Sequence, residues 1–171
     1  MKNIVIVIIA VLTFASCQKS KKIGFVDNSE LINEYQEKKD IQDELQAKVK
    51  VYEQRRDSVR QAFQLEINDA ELKSRNMSQD NLQKLSQELQ QKDQMISQRD
   101  QFEQQQIAQA SQAQNDSLIK KVKEFVKDYG TKNGYDFILG SNEAGSVMYG
   151  KTEDNLTKTI LDALNAAYKK D

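Results

Sequence analysis

The side chains that most often carry out catalysis are scarce in this sequence. It contains no histidine and a single cysteine, Cys17. Most zinc, haem and iron–sulfur sites and most nucleophile–histidine pairs are therefore excluded. The carboxylates of Asp69 and Glu71 are close together, but on a polar helical segment they are better explained as solvated side chains than as an acid–base pair. No glycine-rich phosphate loop occurs either. The sequence predicts a protein that is not an enzyme and needs no metal or other cofactor.

Cys17 directly follows a segment that is typical of an export signal. Lys2 supplies the positive start, residues 4–12 form an apolar run, and Ala15 and Ser16 are the small residues expected before a cleavage point. The apolar run is shorter than the about 20 residues that span a bilayer. We therefore predict a signal peptide at residues 1–16.

The segment Phe14-Ala15-Ser16-Cys17 resembles the lipobox of bacterial lipoproteins, although leucine is usual where this chain has Phe14. The resemblance implies that Cys17 is diacylated and becomes the mature N-terminus, so that residues 17–22 form a lipidated, basic tether. Two acyl chains make a stable membrane anchor. The alternative is an ordinary secreted protein in which Cys17 is incidental.

The composition favours an extended protein over a compact one. Charged residues make up 30% of the chain and aromatic residues 7%, and the formal net charge is -1. A nucleic-acid-binding protein would normally have a basic face and a high pI, so no nucleic-acid partner is expected. Only the two ends can form a compact core, and their roughly seventy residues are close to the size at which oligomerisation is needed.

A proline-free stretch from about Asp27 to about Tyr129 predicts two long helices. Apolar residues recur in alternating steps of four and three along both, which is the spacing of a coiled coil. Arg56 interrupts this stripe in the first helix, and Lys92 and Arg99 interrupt it in the second. The stripe comprises Leu45, Val49, Tyr52, Val59, Phe63, Ile67 and Ala70, then Leu82, Leu85, Leu89, Leu118, Val122, Phe125 and Tyr129. Turn residues cluster at 74–80, so we predict an antiparallel hairpin over residues 36–129 with its tip there.

Short strands are predicted at both ends of the chain. They are residues 23–26, 135–139 and 147–149, and the hairpin would bring them together. Asp27 and Glu30 have capping-box spacing at the start of the first helix, and glycines after Tyr129 indicate a helix end. Thr152 and Asp154 are candidate caps of a last helix whose apolar face is Leu156, Ile160, Leu161 and Leu164. We predict one α+β domain, 23–171, in which a small β-body (23–35 and 130–171) roots the hairpin.

Three stretches together resemble the Skp/OmpH family of periplasmic chaperones. They are residues 22–27, leading into a long charged helix, residues 134–139 after the hairpin, and residues 155–157, which open the final helix. The resemblance covers nearly all of the mature chain. It implies a homotrimer whose strands form a small β-body, with three hairpins around a cavity that holds unfolded outer-membrane proteins without ATP, in the periplasm of a Gram-negative bacterium. The best-known members are soluble and strongly basic, whereas this chain is slightly acidic and is predicted to be lipid-anchored.

Two functions remain open from the residues alone. One is a holdase chaperone, and the other is a structural coiled-coil lipoprotein that acts as a spacer or scaffold in the envelope. The interrupted stripes favour the chaperone, because a spacer would need a continuous seam. Apolar residues towards the tip could contact unfolded clients, although for each one packing between the arms is the favoured interpretation. These candidate client-binding residues are Val59, Phe63, Ile67, Met77 and Leu82.

Overall fold

The computed structural model describes residues 20–142 and 145–168. In chain order these residues form strand β1 (Ile23–Asp27), helices α1 (Asn28–Glu34), α2 (Gln36–Ser74) and α3 (Gln79–Lys132), strand β2 (Phe137–Ser141), a 3-10 turn (Thr152–Asp154) and helix α4 (Thr157–Ala167). The predicted signal peptide and Cys17 lie outside the described residues.

The two longest helices form the predicted antiparallel hairpin. Contacts between them progress in opposite directions along the chain. Near the root the Lys38 ammonium donates to the Asn115 side chain at 2.7 Å, and farther out Lys92 pairs with Glu66. The helices have 39 and 54 residues, which corresponds to lengths of about 60 and 80 Å at a rise of about 1.5 Å per residue. We call them the arms, and the turn between Ser74 and Gln79 the tip.

The seam between the arms is thinly packed. On α2 only Tyr52 and Ala70 are buried, and between the root residue Leu118 and the tip no side chain of α3 is buried. Most other stripe residues of the arms are half-buried by the opposite helix, and Val59 is 39% exposed. A seam with so little buried apolar surface offers limited resistance to local opening.

The two ends of the chain meet in a small body, as predicted. Strands β1 and β2 pair in parallel, with Ile23 opposite Phe137 and Phe25 opposite Leu139. Asn155 extends the sheet by a single bridge to Phe25. The core beneath the sheet is built from β1, α1, α4 and the root of the second arm. Its buried residues are Val26, Leu31, Tyr35, Leu118, Val122, Leu156, Ile160 and Leu164.

Tyr35 separates the short helix α1 from the first arm, α2, and the sequence pattern did not predict this break. Tyr35 has an extended backbone (ψ 128°) between α1 and α2, and its side chain is only 1% exposed. The ring meets Tyr168 edge-on at 5.9 Å, and the hydroxyl donates to the Glu37 carboxylate at 2.7 Å. Burial, and then this hydrogen bond, raise the pKa of Tyr35 well above its usual value. Anchoring this side chain in the core turns the chain from the body into the arm.

A residue of helix α4 caps the N-terminus of α2. Tyr35 stands at the N-cap position of α2, but its side chain makes no capping hydrogen bond to the helix backbone. The Asn165 side-chain oxygen accepts from the Gln36 backbone N–H at 2.9 Å instead. Asn165, which is 129 positions from Gln36, therefore caps the N-terminus of α2 and connects helix α4 to the root of the first arm.

Replacing Asn165 with alanine should weaken this junction. We expect the free energy of unfolding to fall by about 1 kcal/mol, the usual cost of losing a helix cap. Urea denaturation measures this, at one fixed protein concentration because association would shift the apparent stability. Asn165→Asp is the matched control, since it keeps an acceptor at the helix N-terminus and should retain most of the stability. An equal loss in both variants would contradict a capping role.

Several boundaries in the last third of the chain differ from the prediction. Helix α3 does not end at Tyr129 but continues through Gly130 to Lys132. Gly130 is buried, and a Cβ there would lie 3.2 Å from the Ile138 side chain. Its role is therefore close packing, whereas the turn is made at Gly134 (φ 68°). The second strand accordingly starts two residues later than predicted, at Phe137.

The strand predicted at residues 147–149 and the predicted caps of the last helix are wrong. Residues 146–148 form bends, and Met148 and Tyr149 are 89% and 86% exposed. No strand among the described residues offers them a partner. Thr152 and Asp154 lie in the separate 3-10 turn. The Asn155 side-chain oxygen accepts from the Thr157 backbone N–H at 2.9 Å and from its hydroxyl at 2.6 Å, and so holds the start of α4.

Candidate functional site

The predicted client-binding residues lie along the outer half of the hairpin. Phe63, Ile67, Met77 and Leu82 are half-buried, and Val59 is exposed. They follow one side of α2, the tip and the first turn of α3, and do not converge on a single pocket. Their half-buried state is compatible both with packing between the arms and with contact to another chain when the arms separate.

A second apolar stripe faces solvent and was not predicted from the sequence. On α2 it contains Val51, Leu65 and Leu72, which are 60%, 69% and 62% exposed, and on α3 Met95 and Phe102, which are 63% and 59% exposed. Within each helix these residues are separated by multiples of seven, so they lie on one helical face. We call these five residues the outer stripe. Their heptad spacing is visible in the sequence. The prediction did not use it, because the stripe from Leu45 to Tyr129, which we call the inner stripe, already accounts for the hairpin.

A groove of about 240 Å³ opens between the arms near their middle. Tyr52, Val59, Met95 and Ile96 form its apolar walls, and charged side chains surround them. Apolar walls inside a charged border suit an apolar side chain of a flexible ligand better than a small polar molecule.

A polar layer beside this groove joins the arms. The buried Tyr52 hydroxyl donates to the Asp100 carboxylate and accepts from the Gln104 amide at 2.9 Å. The Arg60 guanidinium lies 3.3 Å from the same carboxylate. The hydrogen bond from Tyr52, followed by Arg60, holds the pKa of Asp100 below its usual value. Asp100 thus remains a carboxylate, and the arms are held here by polar bonds where a coiled coil would have an apolar layer.

Glu103 is the second carboxylate of this layer. It pairs with Arg55 on the opposite arm, and with Arg99 on its own helix at 3.2 Å. Desolvation alone would raise the pKa of Glu103, but the hydrogen bonds from Arg99 and Arg55 outweigh it and lower the pKa. The seam interruption at Arg99 is therefore occupied by an ion pair. Arg56, the interruption on the first arm, lies 5.8 Å from the centre of the Tyr52 ring and pairs with Asp57.

The described residues contain no cluster suited to metal binding. No group of three or more histidine, cysteine, aspartate or glutamate residues among them is placed to hold a metal ion. Asp69 pairs with Lys73 one turn away, at 2.6 Å on an exposed surface. Within the same residues no helix is both long and apolar enough to cross a membrane.

The sheet of the body exposes an apolar face. Because side chains alternate between the two faces of a strand, the parallel register places Ile23 and Phe25 beside Phe137 and Leu139. Ile23, Phe137 and Leu139 are 45%, 51% and 45% exposed, while Val26 points to the core on the opposite face. We call these four residues the sheet face. A two-stranded sheet with one side uncovered is marginal in water, so this face is a candidate contact surface for another protein chain.

Comparison with known proteins gives a consistent result. The sequence profile of the family described as Outer membrane protein (OmpH-like) matches residues 22–164. The protein named Chaperone protein Skp from Vibrio cholerae is 22% identical over 149 residues, which cover 87% of this chain and 86% of that protein. A crystal structure of a candidate outer membrane chaperone (OmpH-like) from Caulobacter crescentus superposes with a TM-score of 0.78 at 15% identity. It covers 88% of both chains.

Proposed function

The chain belongs to the OmpH-like outer membrane protein family, and from this premise we propose that it is an ATP-independent holdase chaperone. In this proposal it binds unfolded outer-membrane proteins in the periplasm of a Gram-negative bacterium and prevents their aggregation. The outer stripe is the observation that carries the proposal. Five large apolar side chains of the arms are each more than half exposed to solvent among the described residues.

The chemistry of the stripe fits weak and unselective binding. Burial of apolar surface contributes about 25 cal/mol per Å² and has no directional requirement, so any unfolded chain with exposed apolar residues can use it. Met95 adds a flexible, polarizable side chain that packs against varied partners. The inner residues Phe63, Ile67, Met77 and Leu82, together with Val59, would add contacts where the thin seam opens.

In a trimer, the arms of the three protomers would enclose one cavity. The sheet face is apolar and about half exposed at Ile23, Phe137 and Leu139, and the body is small enough to need an additional interface. Packing three sheet faces together would place three pairs of arms around one cavity, with the outer stripes available to an enclosed client. Release would then follow from competition with the client's own folding, since the proposed mechanism includes no chemical step.

Anchoring to a membrane is a separate part of the proposal. The sequence motif at Cys17 supports acylation, and the short basic tether would keep the body close to the lipid surface. The chaperone function does not depend on this anchor, so the two can be tested independently.

Suppression of aggregation tests the function. An unfolded outer-membrane protein diluted from urea should scatter less light when this protein is present, without ATP and across a salt series. Salt should weaken the effect only modestly, because a chain with a formal net charge of -1 has little long-range field to screen. If no salt concentration permits suppression, the spacer function replaces the chaperone function.

Three double variants locate the client-binding surface. Leu65→Ser with Phe102→Ser removes two side chains that are more than half exposed in the protomer. We expect client affinity to fall about thirtyfold, since each of the two lost contacts is worth about 1 kcal/mol when partly buried. Gln61→Ser with Gln101→Ser is the matched control on the same helices and should bind as the parent does. Phe63→Ser with Met77→Ser tests the inner residues in the same assay, and sedimentation should show an unchanged assembly in all three variants.

A further inference from the structure

The described chain begins at the end of the body that is farthest from the tip. The backbone N–H of Lys22 donates to the Asp136 carboxylate at 2.7 Å, and its ammonium donates to the Asn133 carbonyl at 2.9 Å. The same ammonium lies 4.0 Å from the centre of the Tyr135 ring. These contacts fix the start of β1 beside the last residues of α3.

Helix α3 sets the distance between that end and the tip. It is continuous from Gln79 to Lys132 and has 54 residues, so its two ends are about 80 Å apart. Asn133, which Lys22 contacts, is the residue that caps its C-terminus. The chain therefore enters the body at one pole of the molecule, and the tip occupies the other.

The surface at the entry pole is basic. Residues 20–22 and 131–136 are exposed apart from the half-buried Tyr135, and we call these two segments the rim. The rim carries Lys21, Lys22 and Lys132 against one carboxylate, Asp136. Exposed lysine side chains with little opposing charge suit the surface of a membrane with anionic lipids.

The length of chain before the rim limits how far it can be from an anchor. Cys17 precedes Lys22 by five residues, which span at most about 18 Å when fully extended. Acyl chains on Cys17 would therefore hold the rim close to the lipid surface, whereas the tip is several times farther away than the tether can reach.

From these placements we infer that the rim is a lipid-facing surface, on which the body rests against anionic headgroups while the arms project away from the membrane. The inference rests on the proposed anchor at Cys17 and adds a fixed orientation to it. A client would enter the arms from the aqueous side opposite the anchoring leaflet. An arrangement in which the tips touch the anchoring membrane is excluded by it.

Tryptophan fluorescence can measure this orientation, because the chain has no tryptophan of its own and only one cysteine. The mature chain, starting at Cys17, is coupled through that thiol to a maleimide phospholipid and bound to vesicles containing phosphatidylglycerol and a brominated phospholipid quencher. One variant carries Thr131→Trp in the rim and another carries Arg75→Trp at the tip. We expect the rim tryptophan to lose most of its fluorescence and the tip tryptophan to lose none.

Two further experimental conditions distinguish a lipid-facing surface from a passive tether. Replacing Lys21 and Lys132 with glutamine, or phosphatidylglycerol with phosphatidylcholine, should reduce quenching at the rim while the protein stays on the vesicles. Equal quenching at rim and tip, stronger quenching at the tip, or a rim signal unaffected by both changes would overturn the inference. Because the anchor is attached chemically, these outcomes are independent of whether cells acylate Cys17 and of whether the arms hold clients.

Discussion

Phe137→Asp combined with Leu139→Asp is expected to convert the assembly into folded monomers and to abolish suppression of aggregation. Both side chains belong to the sheet face and are about half exposed in the protomer, so the protomer itself can tolerate the change. Two carboxylates on each protomer would have to be buried in the trimer contact without partners, which costs several kcal/mol. Analytical ultracentrifugation at micromolar concentration should show a shift from trimer to monomer. The client cavity would be lost with it.

The control for this variant places the same charge on a surface outside the proposed contact. Val51→Asp with Leu72→Asp alters two residues of the arms that are somewhat more exposed than Phe137 and Leu139, and it should leave the sedimentation coefficient of the proposed trimer unchanged. A parent protein that already sediments as a stable folded monomer would rule out the trimer. If the sheet-face variant remained a trimer, the contact would have to lie elsewhere on the body.

Cys17→Ser is expected to transfer the protein almost completely from the membrane fraction to the soluble fraction. Acyl chains contribute about 0.8 kcal/mol for each buried CH₂, and two of them make an anchor that is stable on the time scale of fractionation. Metabolic labelling with a radioactive fatty acid should mark the parent and not the variant. Lys21→Gln with Lys22→Gln is the control, because it lowers the charge of the tether and keeps the thiol. Acylation of the serine variant would show that the site assignment is wrong.

The sequence predicted the main architecture because the architecture follows from periodicity. Apolar residues at heptad spacing without proline define two arms, and a polar cluster near residues 74–80 separates them. An antiparallel pair of arms must return the chain to its origin, so apolar segments at residues 23–26 and 135–139 were expected to pair. The structure confirms the hairpin and the small sheet formed by both ends.

The errors have physical causes that act through tertiary contacts. Tyr35 ends α1 because the body buries its ring, and tyrosine carries no sequence signal for a helix end. Gly130 was interpreted as a helix stop, but it remains helical because Ile138 packs where a side chain would be. Residues 147–149 have strand propensity but no partner strand within residues 20–142 and 145–168, and propensity alone does not form a strand.

The candidate site was predicted less well than the fold. Choosing apolar residues on the inner stripe selected side chains that the opposite arm half-buries, such as Phe63 and Ile67. Leu65 and Leu72 are more exposed, but they differ from their neighbours only in the helical face they occupy. Which of two apolar faces is turned inwards depends on how the two arms pack, and the sequence of one arm does not determine that.

The parallel pairing of β1 with β2 has a consequence for the order in which the protein folds. Ile23 and Phe137 are neighbours in the sheet yet are separated by nearly the whole of the hairpin, so the sheet has contacts of very high sequence separation, which form slowly. Helices need only local contacts and can form as soon as a segment is free. In the proposed export, the first strand would leave the translocation channel long before its partner and would wait until the second arm had followed and folded back. The body would therefore close last, and association of the proposed trimer would be delayed until each chain had been exported almost to its end.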